Sequence, residues 1–309
     1  MAGAAVAEPL SLYQREIVRF GPFDPADRLA FRGGLILRGP RTFGALSGLL
    51  VEDEHFLAAT DTGHFVTGRM VLDGKRLTGV EDTGIEPRRD LSGAPITTKA
   101  PGDAEALARR LDKILVLVEQ ARQLLAYDAE GLGVTADAPR RVTLPDAARR
   151  AGRAGMEALA TLPNGTLILI AEAGARGADT VPAFRLPSGE AFSIRRHGDF
   201  SITGADALPG GDLLIVERRY GGGIDVGMQV RRIGADAVKG GSVADGPVLL
   251  KAGFAAEIDN MEAIAAEIVD GEIVLILASD DNHAFFQRTL MLRFAVADPL
   301  PRPNPRRTS

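Results

Sequence analysis

The chain has 309 residues, 45% of them hydrophobic and 25% charged, with a formal net charge of -5 and an isoelectric point near 5.5. That balance is globular, and an acidic chain without tryptophan has neither the basic footprint nor the stacking platforms of a general nucleic-acid binder. There are no cysteines, which excludes disulfides, thiolate metal sites and a cysteine nucleophile, and no apolar run is long enough to span a bilayer.

The N-terminal MAGAAVAEP is small and apolar, with Ala5 and Ala7 in an Ala-x-Ala pattern. It reads either as the remnant of a signal peptide cut before Glu8, or as a short disordered start over residues 1–10. YQREIVRFG from Tyr13 and GGLILRG from Gly33 then read as strands. GALSGLLVEDEHFLAATD, residues 44–61, introduces a pattern that recurs. It returns as DAEALARRLDKILVLVE at 103–119 and GMEALATLPNGTLILIAE at 155–172. It appears again as GADALPGGDLLIVERR at 204–219 and DNMEAIAAEIVDGEIVLILASDDN at 259–282. Each copy has an acid, then Ala, Leu or Ile, a turn, a β-branched or Leu-rich run, and an acid again; Ser47 replaces the first acid in the earliest copy.

These copies start about 50 residues apart, and further strand-like stretches such as RQLLAYDA, AFRLPSGEAFSI and MQVRRIG lie between them. Four strands per repeat is the blade of a β-propeller. The only helical signal is LPDAARRAGRAG at 144–155. The fold expected is all-β, a single β-propeller over residues 11–297. Five four-stranded blades are favoured and six are the alternative, with an N-terminal strand closing the ring. ADPLPRPNPRRTS is proline-rich, and residues 298–309 are expected to be a flexible tail.

A hairpin's second strand returns to the end where the first began. Glu105 should therefore meet Glu119, Glu157 meet Glu172, Asp206 meet Glu217, and Glu262 meet Asp280, all at one mouth of the channel. Crowded carboxylates raise one another's pKa unless a cation intervenes. Arg218, Arg219 or Arg288 can supply it. So can a hard divalent ion, Ca²⁺ or Mg²⁺, held by Glu105, Glu157, Asp206, Glu262, Asp280 and Asp281. The bland alternative is that strand-end acids bond neighbouring backbone N–H groups. His55, His64, His197 and His283 show no ligand spacing. Ser47 lacks the flanking glycines of a nucleophile elbow, and Gly221-Gly222-Gly223 has no strand-to-helix setting for phosphate.

FGALSGL with ATDTG, DAEALA with LVE, LPGGDLLIVERR, and DNMEAIA with SDDNHAFFQRTLMLRF together resemble the bacterial phytase-like family, also called esterase-like phytase, over about residues 35–297. The resemblance implies a β-propeller, often exported. It puts the family's acids at Glu105, Glu157, Glu262 and Asp280, with Arg218 and Arg288 as their basic associates. Ala45, Thr60 and His283 depart from the residues usual in the family. Two readings follow. In the first, a Ca²⁺-dependent hydrolase uses Glu105, Glu157, Glu262, Arg218 and Arg288 on an anionic small-molecule ester. In the second, a non-catalytic propeller binds a ligand or protein and carries a structural ion. Both place the protein in the periplasm or outside the cell, with the cytoplasm as the alternative.

Overall fold

The computed structural model describes residues 7–24, 27–119, 122–151, 155–172, 174 and 177–297. The expected flexible tail, and Met1–Val6 of the expected signal remnant, lie outside the described residues. Within residues 1–10 the described part is ordered: β1 (Glu8–Pro9) pairs with a later strand, and Leu10 is buried.

After β1 come β2 (Tyr13–Ile17) and β3 (Leu29–Arg38). A first meander then runs β4 (Leu46–Glu52), β5 (His55–Thr60), β6 (His64–Asp73), β7 (Arg76–Pro87). The short helix α1 (Lys99–Gly102) leads into β8 (Ala104–Arg110), β9 (Lys113–Val118), β10 (Gln123–Glu130), β11 (Gly133–Val134) and β12 (Arg140–Val142). The expected helix between repeats is α2 (Asp146–Ala151), followed by β13 (Met156–Thr161), β14 (Leu167–Ala171), β15 (Thr180–Leu186) and β16 (Ala191–Arg195). Next come β17 (Ser201–Ala207), β18 (Leu213–Gly222), β19 (Asp225–Ile233), β20 (Val243–Ala244) and β21 (Val248–Gly253). The chain finishes with β22 (Asn260–Val269), β23 (Glu272–Asp280) and β24 (Thr289–Val296).

The protein is an all-β propeller. Its innermost strands pack in a closed cycle: β4 on β8, β8 on β13, β13 on β17, β17 on β22, and β22 on β4. The last meander borrows its fourth strand from the N-terminus, because β24 pairs antiparallel with β3, and β3 in turn with β2. Both stretches expected to close the ring do so. A single parallel pair, Gly33 with Leu77, also links β3 to β7, so the first and last meanders form one hydrogen-bonded sheet.

The second strand of each meander has neighbours on both faces, so its sequence is continuously apolar rather than alternating. Accordingly β9, β14, β18 and β23 are buried along nearly their whole apolar length. The core is accordingly split into layers between adjacent blades. One unites residues of β8–β18, and another unites β4–β7 with β22–β24. The turns follow from local chemistry. Asp270-Gly271, both at positive φ, join β22 to β23 in the two-residue hairpin that such a pair favours.

Candidate functional site

Every innermost strand breaks register at the same step. The shifts fall between Leu46 and Gly48, Ala104 and Ala106, Met156 and Ala158, Ile202 and Gly204, and Met261 and Ala263. The skipped residues are Ser47, Glu105, Glu157, Thr203 and Glu262. A β-bulge leaves its extra residue unpaired and re-aims the side chain. The returning strands add a second ring just beyond each bulge. Asp61, Glu119 and Glu172 donate their backbone N–H to the carbonyls of Ala45, Asp103 and Gly155, while Arg218 lies opposite Ser201 and Asp280 opposite Asn260.

The carboxyls of these two rings act on one another. Glu105 is pushed up to about 11, first by burial and then by Glu157, Glu262, Glu119 and Asp103. Glu157 is pushed up to about 8 by burial and by Glu172, Glu262 and Glu119, against the pull of Arg218. Asp280 reaches about 8 through burial and Glu262, with smaller contributions from Asp61 and Asp281. Burial raises Glu262 as well, opposed by Arg218 and by the Asn260 amide, which donates to it at 2.7 Å. The crowding is also geometric. A Cβ on Gly155, whose φ is +97°, would lie 2.9 Å from Glu119 Oε1 and 3.2 Å from both Glu157 Oε1 and Glu172 Oε2. Carboxylate oxygens of Asp103, Glu105 and Glu119 come within 4.8 Å of one another, a spacing that suits one cation.

Protein cations stand among these acids, Arg122 beside Glu119 among them. Arg218 Nε is 3.4 Å from Glu262 Oε1. Lys99 Nζ is 3.0 Å from Asp61 Oδ2 and 4.0 Å from Asp103 Oδ1. Arg88 is 1% exposed, donates to the Gly102 carbonyl and feels Asp103 and Asp61. Its Nε and Nη1 have no hydrogen-bond partner among the described residues.

Residues 41–283 match the family described as "Phytase-like: Esterase-like activity of phytase". The chain belongs to the phytase-like family. No curated protein matches it in sequence. Among solved structures it is similar to the β-propeller domain of Cps50 (Swd1) from Myceliophteria thermophila, at 9% identity and a TM-score of 0.41, over 93% of this chain and 100% of that one. The PQQ-bound aldose sugar dehydrogenase of Streptomyces coelicolor gives 11% identity and a TM-score of 0.41, over 93% and 100%. Against the hydrazine synthase of Kuenenia stuttgartiensis the values are 12% and 0.35, and the chain spans only 58% of that chain's length. Likenesses this distant say nothing about chemistry; the phytase-like site has to be read from its own residues.

The acids expected at the phytase-like mouth divide accordingly. Glu105, Glu157, Glu262 and Asp280 come together there with Glu119 and Glu172. Asp206 does not. Its carboxylate accepts the N–H groups of Ala207 at 2.7 Å and Ala266 at 2.8 Å, tying β17 to β22, and burial raises its pKa to about 6. The ring position in that blade belongs to Thr203, whose hydroxyl donates to the Met261 carbonyl at 2.8 Å. Glu217 is likewise off the ring. It is 1% exposed and holds the fully buried Arg231 through two bonds of 2.7 Å, leaving the ring position to Arg218.

Asp281 is taken up by protein donors: Ala45 N and His283 N on Oδ1, and Thr289 Oγ1 on Oδ2. It latches the last blade to the first. Arg288 is bound to Glu257, to Asp259 and to the Ile258 carbonyl, and borders a cavity beside the mouth. Sequence reasoning missed Asp61, Asp103, Lys99, Arg88 and Thr203. One signal was available. Aligning the turns LPNG (162–165) and LPGG (208–211), rather than the acids, sets Thr203 against Glu157 and Arg218 against Glu172.

Proposed function

We propose that this phytase-like propeller is a divalent-cation-dependent hydrolase of phosphate or related esters, working at the acidic mouth. The observation that carries this reading is the close approach of Asp103, Glu105 and Glu119, which fits a hard cation. Three carboxylate oxygens lie within 4.8 Å of one another, and without a positive charge one of them holds its proton up to about 11. Those three would hold Ca²⁺ or Mg²⁺, which when bound polarises a phosphoryl or carbonyl oxygen. Asp61, Glu262 and Asp280 lie across the same mouth.

Other roles fall to the chain's own groups. Arg218 is the cation placed to bind an anionic ester, and Glu262 and the protein around it fix its orientation. Glu157, raised by burial and by Glu172, Glu262 and Glu119 to about 8 in the cation-free protein, is the carboxyl assigned to hand a proton to the leaving oxygen. Arg288, expected as a second anion grip, is better assigned to holding its own loop through Glu257 and Asp259. Export to the periplasm or the medium belongs to the same reading, and fractionation of cells expressing the full-length chain tests it.

The alternative, a non-catalytic binding propeller with a structural ion, draws on the protein cations already among the acids: Arg88, Lys99 and Arg218 offset part of the charge without any ligand. One screen separates the two. Phosphomonoesters, phosphodiesters and carboxylic esters are offered to the protein with Ca²⁺, with Mg²⁺ and with chelator, alongside Glu105→Gln and Glu157→Gln. Cation-dependent turnover lost in both variants supports the hydrolase. Cation-dependent stabilisation with no turnover of any ester supports the binding protein.

A further inference from the structure

Beside the acidic mouth, between β18–β19 and the loops that precede β22 and follow β23, lies a cavity of about 680 Å³. That is within the size range of small-molecule sites. It shares Arg218 and Glu262 with the ring. Away from those two its wall mixes the apolar Tyr220, Val226, Phe254, Ile258 and Phe286 with polar groups, among them Arg219, Asp259 and Arg288. Three of these are aromatic and open to solvent: Tyr220 is 70% exposed, Phe254 64% and Phe286 72%. Phe286 is braced edge-on by Phe285 at 5.3 Å between ring centroids. Aromatic side chains left bare around a concave site mark a place where something apolar is covered.

The three arginines of this wall are not equivalent. Arg288 is committed to Glu257, Asp259 and the Ile258 carbonyl. Arg219 pairs through Nη2 with Asp225 at 2.6 Å and lies 5.6 Å over the Phe200 ring, although its buried Nε also lacks a hydrogen bond among the described residues. Among the described residues Arg218 has one ion-pair partner, Glu262 at 3.4 Å, and its buried Nε makes no hydrogen bond. A guanidinium has five donors in a fixed fork. Arg218 therefore keeps donors free at the boundary between the acidic ring and the cavity wall.

We infer that this cavity binds the ring-sized apolar alcohol portion of a phosphate monoester, with Arg218 holding the phosphate where the cavity meets the mouth. A phosphate suits the boundary because it has oxygens enough to meet Arg218 on one side and face the mouth on the other. The exposed aromatics of the wall disfavour a substrate charged all round its body, such as a polyphosphorylated polyol. Such a ligand would set further anions against Glu262 and Asp259 and leave the aromatics uncovered. The substrate assignment rests on the hydrolase reading; the ligand assignment stands without it. In turnover, water adds across the P–O ester bond: its hydroxyl goes to phosphorus, its proton to the leaving alcohol oxygen, and no redox partner is needed.

The test is calorimetric binding of 2-naphthyl phosphonate, which cannot be hydrolysed, to the full chain with Ca²⁺ present. Binding should weaken at least tenfold in Arg218→Gln and in the double variant Phe254→Ser/Phe286→Ser. It should weaken at least tenfold for methyl phosphonate, which lacks the body, and clearly for 2-naphthoate, which lacks the third oxygen. Phe286 and Phe254 are exposed, so the double variant should fold even if Arg218→Gln does not. Equal affinity of wild type and the phenylalanine variant overturns the inference, as does methyl phosphonate binding as tightly as the naphthyl compound. Inositol hexakisphosphate displacing the probe at lower concentration overturns it too. The outcomes also separate the two claims. Binding as expected, with no hydrolysis of 2-naphthyl phosphate, sinks the hydrolase and keeps the ligand. Hydrolysis whose KM ignores the phenylalanine change keeps the hydrolase and sinks the cavity's role.

Discussion

Glu105, at a bulge and surrounded by Asp103, Glu119, Glu157 and Glu262, is the residue through which the site should respond to pH. Its folded pKa, about 11, lies above its unfolded value of 4.5, so between those values the folded chain keeps a proton that the unfolded chain has released. The resulting stability is complete below pH 4.5 and drains away as pH rises. Glu157 adds to the loss up to about pH 8, and so does Asp280, whose unfolded value is 3.8. Chelator-treated protein should therefore melt at a lower temperature at pH 8 than at pH 5. Ca²⁺ should recover the difference, because an ion bound only by the folded state stabilises it by mass action. Glu105→Gln should melt higher than wild type at pH 8 in chelator and respond less to Ca²⁺. A melting temperature that climbs between pH 5 and pH 8 in chelator would show that the acids are already neutralised by Arg88, Lys99 and Arg218. At the same scale, Arg218→Gln removes the listener to a buried carboxylate and should cost about 2 kcal/mol, read by denaturant unfolding.

At the scale of strands, stability is concentrated in the second strand of each meander. Leu169 in β14 has no exposed surface and sits in the layer shared with β8, β9 and β18. Leu169→Asp places an unpaired charge there and should cost about 4 kcal/mol or more, enough to lower soluble yield. Glu217 and Arg231 in β18 and β19 form a buried pair, and Gln229 also donates to Glu217. Changing Glu217 to Gln leaves the buried guanidinium with Asp245, 3.1 Å from Nη1, as its remaining carboxylate and should cost about 3 kcal/mol, whereas the function of the mouth should survive in whatever fraction folds. Comparable losses of activity per folded molecule in Glu217→Gln and Glu157→Gln would mean that Glu217 belongs to the site after all.

The molecule as a whole depends on closing its ring. β3 pairs with β24, β2 lies on β3, and Asp281 bonds Ala45 at the entry to β4, so the seam between first and last blades is fastened at several places. Removing residues 1–38 would take away β1, β2 and β3 and bare the edge of β24. An open apolar edge invites pairing with other chains. The truncated protein should be largely insoluble, and a monomeric, cooperatively melting product by light scattering and calorimetry would count against this closure. Asp281→Ala, a milder break in the same seam, should lower the melting temperature while leaving the protein soluble.

Repeat spacing, the apolar second-strand runs and turn pairs such as Asp270-Gly271 determined the propeller from sequence alone, since each records a local demand of hairpins buried on both faces. The same spacing brought out Glu105, Glu157, Glu262 and Asp280, because a hairpin must return its acids to one end. Tertiary structure decided the remainder. Acids alone do not state the register, so Asp206 passed for a ring member until pairing showed Thr203 at the bulge and Asp206 bonded to Ala266. Glu217 and Arg218 are adjacent in sequence, yet alternation along β18 sends one into the blade against Arg231 and the other to the mouth beside Glu262. Arg88 and Lys99 reach the site from a connecting segment outside the repeat. No periodicity marks such residues, because only the packing of that segment against the ring brings their charges to the acids they offset.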